Sequence, residues 1–177
     1  MMLILTGNKG CGKSLFLKNL IEDNTIPVQG FLSLKRFSGP DMTGIDLLLL
    51  PEKQIIPMAT TTPIHTESKT SRFSFYPDVF SRVNMHFCSI PHDLPFILDE
   101  FGILEMDGRG HYPIFDHLIK SGHSSLIVVR RELFEGFLST FGRDMELSVV
   151  DLETCGKKVA AKSIQGFLSR VQKSNPG

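Results

Sequence analysis

The chain has 177 residues, 41% hydrophobic and 21% charged, with 19 basic side chains against 19 acidic ones and a formal net charge of zero. That is the length and composition of one globular domain, expected to span residues 1–177 and large enough to bury a core without a metal or disulfide staple. A neutral balance excludes a protein whose main work is non-specific attachment to phosphate backbones or anionic membranes, so nucleic acid is not an expected partner and any anion must be held locally.

Cys11, Cys88 and Cys155 are odd in number and widely spaced, which argues against a disulfide framework or a zinc ribbon and fits a reducing compartment. The apolar opening at residues 1–5 is cut off by Thr6 and Gly7, and the run at 47–50 is far short of a bilayer span. The expectation is a cytoplasmic protein without membrane insertion.

Residues 1–5 read as a buried parallel strand, and after the glycines Phe16, Leu17, Leu20 and Ile21 mark a helix over 14–22. Apolar runs at 28–37, 45–50 and 54–58, separated by Gly39-Pro40 and by Pro51-Glu52-Lys53, predict a β meander. The Thr-, Ser- and Pro-rich stretch 60–77 reads as a surface loop that orders with ligand. Beyond it a strand at 95–98, a helix at 113–121, a strand at 125–129, a helix at 132–141, a strand at 146–150 and a helix at 159–171 alternate. This predicts an α/β domain with a mostly parallel sheet, helices on both faces and the meander as an insertion.

Gly7, Asn8, Lys9, Gly10, Cys11, Gly12, Lys13 and Ser14 satisfy the phosphate-loop pattern G-x-x-x-x-G-K-[ST] between a buried strand and a helix. With Leu15 they form the expected nucleotide-binding set. Glycines let the backbone wrap phosphate oxygens, Lys13 reaches the terminal phosphates, and Ser14 can ligate magnesium. Cys11, at a helix N-terminus between two lysines, is either a reactive thiol or a variable loop position turned into the sheet.

Pro95-Phe96-Ile97-Leu98-Asp99-Glu100 ends an apolar strand in paired carboxylates, the Walker B pattern. Asp99 would hold magnesium and Glu100 would orient or deprotonate the attacking water. Arg130 and Arg131 follow the 125–129 strand, where either could stabilise charge on the transferring phosphoryl group or bridge to a surface acid. Glu105 and Asp107 could reach the site from a loop or remain solvated. Lys157, Lys158, Lys162, Arg170 and Lys173 give the tail a basic bias, read as a solvated helix face.

The loop at residues 7–14, Gly30-Phe31, Phe75-Tyr76-Pro77-Asp78-Val79 and above all Asp99-Glu100-Phe101-Gly102-Ile103-Leu104-Glu105 resemble the THEP1-type nucleoside-triphosphatase family, whose corresponding segment reads Asp-Glu-Ile-Gly-x-Met-Glu. The resemblance implies a compact RecA-like P-loop domain that hydrolyses nucleoside triphosphates slowly, with Mg2+ and little base preference. It also points to Arg130 or Arg131 as the family's basic position. The chain departs from the pattern at Phe101, at Leu104 and at Met85-His86-Phe87-Cys88. Two rivals share the loop. A nucleotide or small-molecule kinase needs an acceptor-binding lid, which only 60–77 could supply and for which Lys69 and Arg72 are few cations; a regulatory switch would act on a protein partner that the sequence does not identify.

Overall fold

The computed structural model describes residues 1–174 apart from Ser68, His92 and Asp144, with side chains described through Arg170. The Lys173 side chain of the basic tail therefore lies outside the described residues. The elements run β1 (Met2–Thr6), α1 (Lys13–Asn24), β2 (Gln29–Ser38), β3 (Asp41–Leu50), β4 (Ile55–Thr60), β5 (Ser74–Phe75), α2 (Val79–Ser89), β6 (Phe96–Phe101), α3 (Ile103–Met106), α4 (Tyr112–Lys120), β7 (Ser125–Val129), α5 (Arg131–Phe141), β8 (Leu147–Asp151) and α6 (Leu152–Ser174). All eight strands form one sheet in the order β5-β4-β3-β2-β6-β7-β1-β8. The five strands from β2 to β8 pair in parallel, and β3, β4 and β5 extend the β2 edge as an antiparallel meander.

The parallel strands are apolar on both sides because helices cover both faces. One face packs Leu3, Leu5, Ile97 and Val128 under Leu17 and Leu20 of α1 and Ile164 and Phe167 of α6. The other packs Ile4, Phe31, Leu98 and Ile127 under Val83 and Phe87 of α2, Phe115 of α4 and Phe137 of α5. Gly30 is required where β2 meets β6: a Cβ there would lie 2.1 Å from the Ile97 carbonyl oxygen, at a φ of 112°. That close approach sets the register Gly30↔Ile97 and Phe31↔Leu98, which carries β2 past the end of β6.

The structure adds one element and corrects two expectations. Residues 79–89, left without an element in the sequence reading, form α2, with Val79, Val83 and Phe87 buried on one face at spacings of four. The stretch 60–77 is not wholly a loop: Ser74 and Phe75 pair with Thr60 and Ala59, because burying Phe75 draws the chain back to the sheet. The last helix begins at Leu152 rather than 159 and is broken at Gly156, where φ is 73°.

Candidate functional site

At the end of β1 the chain curls through residues 7–12 into α1. Gly12, directly before the helix, has a φ of 88°, a left-handed conformation that glycine adopts without a Cβ penalty. Lys13 is only 8% exposed. Its ammonium turns back into the curve of the loop, donating to the Gly7 carbonyl at 2.7 Å and the Asn8 carbonyl at 2.9 Å, with the Cys11 sulfur at 3.6 Å. The Cys11 thiol points inward, so that a Cβ on Gly7 would meet Sγ at 2.9 Å, and it packs beside the core under α1 and α6. Asn8 faces Glu153, its backbone N–H donating to Oε2 at 2.6 Å and its amide to Oε1 at 3.2 Å.

A cleft of about 560 Å³ opens over the loop. Of the sequence-predicted binding residues, Lys9, Gly10, Gly12, Lys13, Ser14 and Leu15 line it, and Gly7, Asn8 and Cys11 do not. Asp99, Glu100 and Arg130 line the same cleft.

The two carboxylates reach the cleft together through a local irregularity in β6. Side chains alternate along a strand, so Glu100 should point away from Asp99 into the aromatic core. Between the pairs Leu98↔Ile127 and Phe101↔Val129 the chain advances three residues on β6 against two on β7, an inserted residue. Glu100 sits at this bulge with a φ of 71°. The bulge leaves both carboxylates lining the cleft and returns Phe101 to the core, against Phe115 at 4.5 Å and Phe137 at 5.1 Å between ring centroids.

Asp99 is 1% exposed and accepts the Ser33 backbone N–H through Oδ2 at 2.8 Å. Burial first, and Glu100 second, push its carboxyl up to about 7; the Ser14 hydroxyl, the Ser33 N–H and Lys13 offset this in part. Its Oδ1 is buried without a hydrogen-bond partner. A buried, orphaned carboxylate oxygen near a hydroxyl and facing a polar cleft is chemically suited to a hard divalent cation, whose charge would offset the desolvation. Asp99 and Ser14 therefore fit Mg2+.

The two arginines separate. Arg130 turns into the cleft and pairs with Glu100 at 3.3 Å and Glu132 at 3.8 Å. Arg131 points away, pairing with Asp151 at 2.5 Å and Glu153 at 3.5 Å, and so braces the Glu153 carboxylate that holds Asn8. Glu105 is buried outside the cleft: Oε2 accepts the Gly102 N–H and Oε1 the His111 N–H, both at 2.9 Å, and burial raises its carboxyl above the usual range. Asp107 is exposed. Sequence reasoning missed Ser33, Lys35, Phe37, Met42 and Phe73, which also line the cleft.

A glycine loop carrying β1 into a helix, paired carboxylates at the end of β6 and a parallel sheet with helices on both faces define a P-loop α/β fold of the nucleoside-triphosphatase class. The sequence profile of the family described as NTPase matches residues 2–165. The fold is similar to the solution structure of a human cancer-related nucleoside triphosphatase, with a TM-score of 0.68, 18% identity, and 98% of each chain covered. It is also similar to the crystal structure of THEP1 from the hyperthermophile Aquifex aeolicus, with a TM-score of 0.66, 14% identity, and 95% of this chain and 99% of that one covered. A comparison with curated protein sequences returned no match. The chain belongs to the NTPase family and is a nucleoside-triphosphatase. Among the described residues no helix is long and apolar enough to cross a membrane.

Proposed function

We propose that the protein hydrolyses ATP, GTP and related nucleoside triphosphates to diphosphate and phosphate with magnesium, in the cleft between the residue 7–14 loop and the end of β6. The observation that carries this reading is the bulge that keeps Asp99 and Glu100 together in the cleft that Lys13 and Ser14 also line. Backbone N–H groups of the loop and the N-terminus of α1 receive the phosphates, and the Lys13 ammonium exchanges its contacts with the Gly7 and Asn8 carbonyls for the terminal phosphate oxygens. Ser14 and Asp99 hold Mg2+, which when bound neutralises phosphate charge. Glu100 orients the attacking water and takes its proton. Arg130, already beside Glu100, stabilises charge on the transferring phosphoryl group from within the chain. Arg131 acts at a distance by fixing Glu153 and the loop, and does not touch substrate. The three free thiols are in keeping with a cytoplasmic location.

Phosphate release from ATP, GTP, CTP and UTP, with no acceptor present, tests the reading. Release should occur with all four, stop on chelation of Mg2+, and fall by about 10²-fold or more in Lys13→Ala with an unchanged circular dichroism spectrum. Undiminished release after chelation, or in a folded Lys13→Ala variant, refutes it.

A further inference from the structure

Besides the residues read as binding phosphate, the cleft takes part of its lining from β2, β3 and the residues before β5, called here its far arm, and that lining has a different chemistry. Phe37 and its cross-strand partner Met42 form one side of that arm, and Phe73 forms another. Phe37 is left 57% exposed although aromatic side chains of this size are usually covered. The charge of the cleft is equally one-sided: six cations, Lys9, Lys13, Lys18, Lys35, Arg72 and Arg130, line it against the two carboxylates Asp99 and Glu100, in a chain whose net charge is zero. Lys18 is paired with Glu22, Arg130 with Glu100, and Lys13 with the loop carbonyls. Lys9, Lys35 and Arg72 have no carboxylate partner among the described residues, and the Arg72 guanidinium lies 5.5 Å from the centre of the Phe73 ring.

The far arm is built by β2, β3 and the residues before β5, on the side of β6 away from β1. On the reading above, the terminal phosphate sits at Asp99 and Glu100, so this arm continues the cleft past that phosphate. Apolar and aromatic faces suit a planar ring, and unpaired Lys35 and Arg72 suit a phosphate dianion. We propose that this arm binds a second ligand, a nucleoside 5′-monophosphate, with its base against Phe37 and Phe73 and its phosphate between Lys35, Arg72 and the terminal phosphate of the triphosphate. The inference rests on the triphosphate occupying the loop, and it adds to hydrolysis a second occupant of the cleft.

Calorimetric titration of AMP, GMP, CMP and UMP into the full chain, preloaded with Mg2+ and the non-hydrolysable analogue AMP-PNP, tests it. At least one monophosphate should bind at one site per chain. Phe37→Ala and Arg72→Ala should each weaken it about tenfold or more, as expected for loss of a stacking face or a charged clamp. Both side chains are exposed, and thermal unfolding of the variants should match the parent, which certifies their fold. The inference is overturned if no monophosphate binds at millimolar concentration, if the variants bind as the parent does, or if binding appears only without AMP-PNP. It is also overturned if the variants weaken AMP-PNP instead, because the arm would then hold the base of the triphosphate. If AMP-PNP itself does not bind the parent, the hydrolase reading fails separately, and the same titration of unloaded parent and Phe37→Ala decides whether the arm binds a monophosphate.

Discussion

At the scale of single residues, Asp99 and Glu100 are chemically alike and differently placed. Asp99 is buried with one oxygen orphaned, whereas Glu100 is partly exposed and paired to Arg130. Asp99→Asn should therefore raise the magnesium concentration needed for half-maximal phosphate release. Glu100→Gln should leave that concentration near the parent value and lower the rate by about 10²- to 10⁴-fold, the usual contribution of general-base help. Superimposable magnesium titrations of the two variants would contradict this division of roles. The Glu100 backbone also carries a cost: a non-glycine residue at a φ of 71° is destabilised by roughly 1–2 kcal/mol. Part of that cost returns as the chain entropy of glycine in the unfolded state, so Glu100→Gly should be more stable than the parent by about 0.5–1 kcal/mol while losing turnover. Urea unfolding with phosphate release on the same preparation checks this, and a less stable Glu100→Gly would show that the bulge is not strained.

At the scale of elements, the carboxylate strand depends on the turn that follows it. Glu105, in α3, ties Gly102 at the end of β6 to His111 at the start of α4, and a side chain on Gly110 would collide with Oε1 at 2.2 Å. Both partners are N–H donors, so Glu105→Gln would set its amide donor against one of them. Leaving one buried donor unsatisfied should cost about 1–3 kcal/mol of stability. Because the turn positions β6 and touches no substrate, kcat should fall with KM little changed. Equal stability and equal kcat in Glu105→Gln would exclude this role. The same region shows what local sequence conveys. β7 agrees with its expected bounds to the residue, since four consecutive apolar residues, Leu126 to Val129, between polar flanks admit few readings. The spacing of Val79, Val83 and Phe87 carried the signal for α2, but the polar residues between them diluted it. Residues 7–14 and 99–100 were legible as motifs because each is contiguous in the chain. Lys35, Phe37, Arg72 and Phe73 were not, because only long-range sheet pairing brings them to the same cleft.

At the scale of the molecule, the sheet separates two cores, and the aromatic one contains a titratable ring. His111 lies between Phe31 of β2 and Phe80 of α2, at 4.6 and 4.9 Å between ring centroids. The Asn84 amide nitrogen donates to the Gly110 carbonyl, so its oxygen is left to accept the Nδ1–H of neutral His111 at 2.9 Å, while Nε2 is buried without a partner. Burial lowers this imidazole from 6.5 to about 3. The folded pKa lies below the unfolded one, so as pH falls through 6.5 the unfolded chain takes up a proton that the folded chain refuses until about 3. The stabilisation is full above 6.5 and is lost progressively below it, at about 1.4 kcal/mol per pH unit. Asp99 and Glu105, raised by burial, act in the opposite direction: their charged forms are penalised in the fold, and protonation on acidification removes that penalty. Whole-protein acid stability therefore mixes the two effects, and a difference between variants separates them. His111→Asn retains a donor toward Asn84 and cannot titrate, while both carboxyls remain. The stability of the parent minus that of His111→Asn, from urea unfolding at intervals between pH 7.5 and 4, should be flat above pH 7 and then fall toward the slope given above. A difference independent of pH throughout would show that the imidazole takes its proton inside the fold, and that the aromatic core between β2, α2 and α4 is open to water.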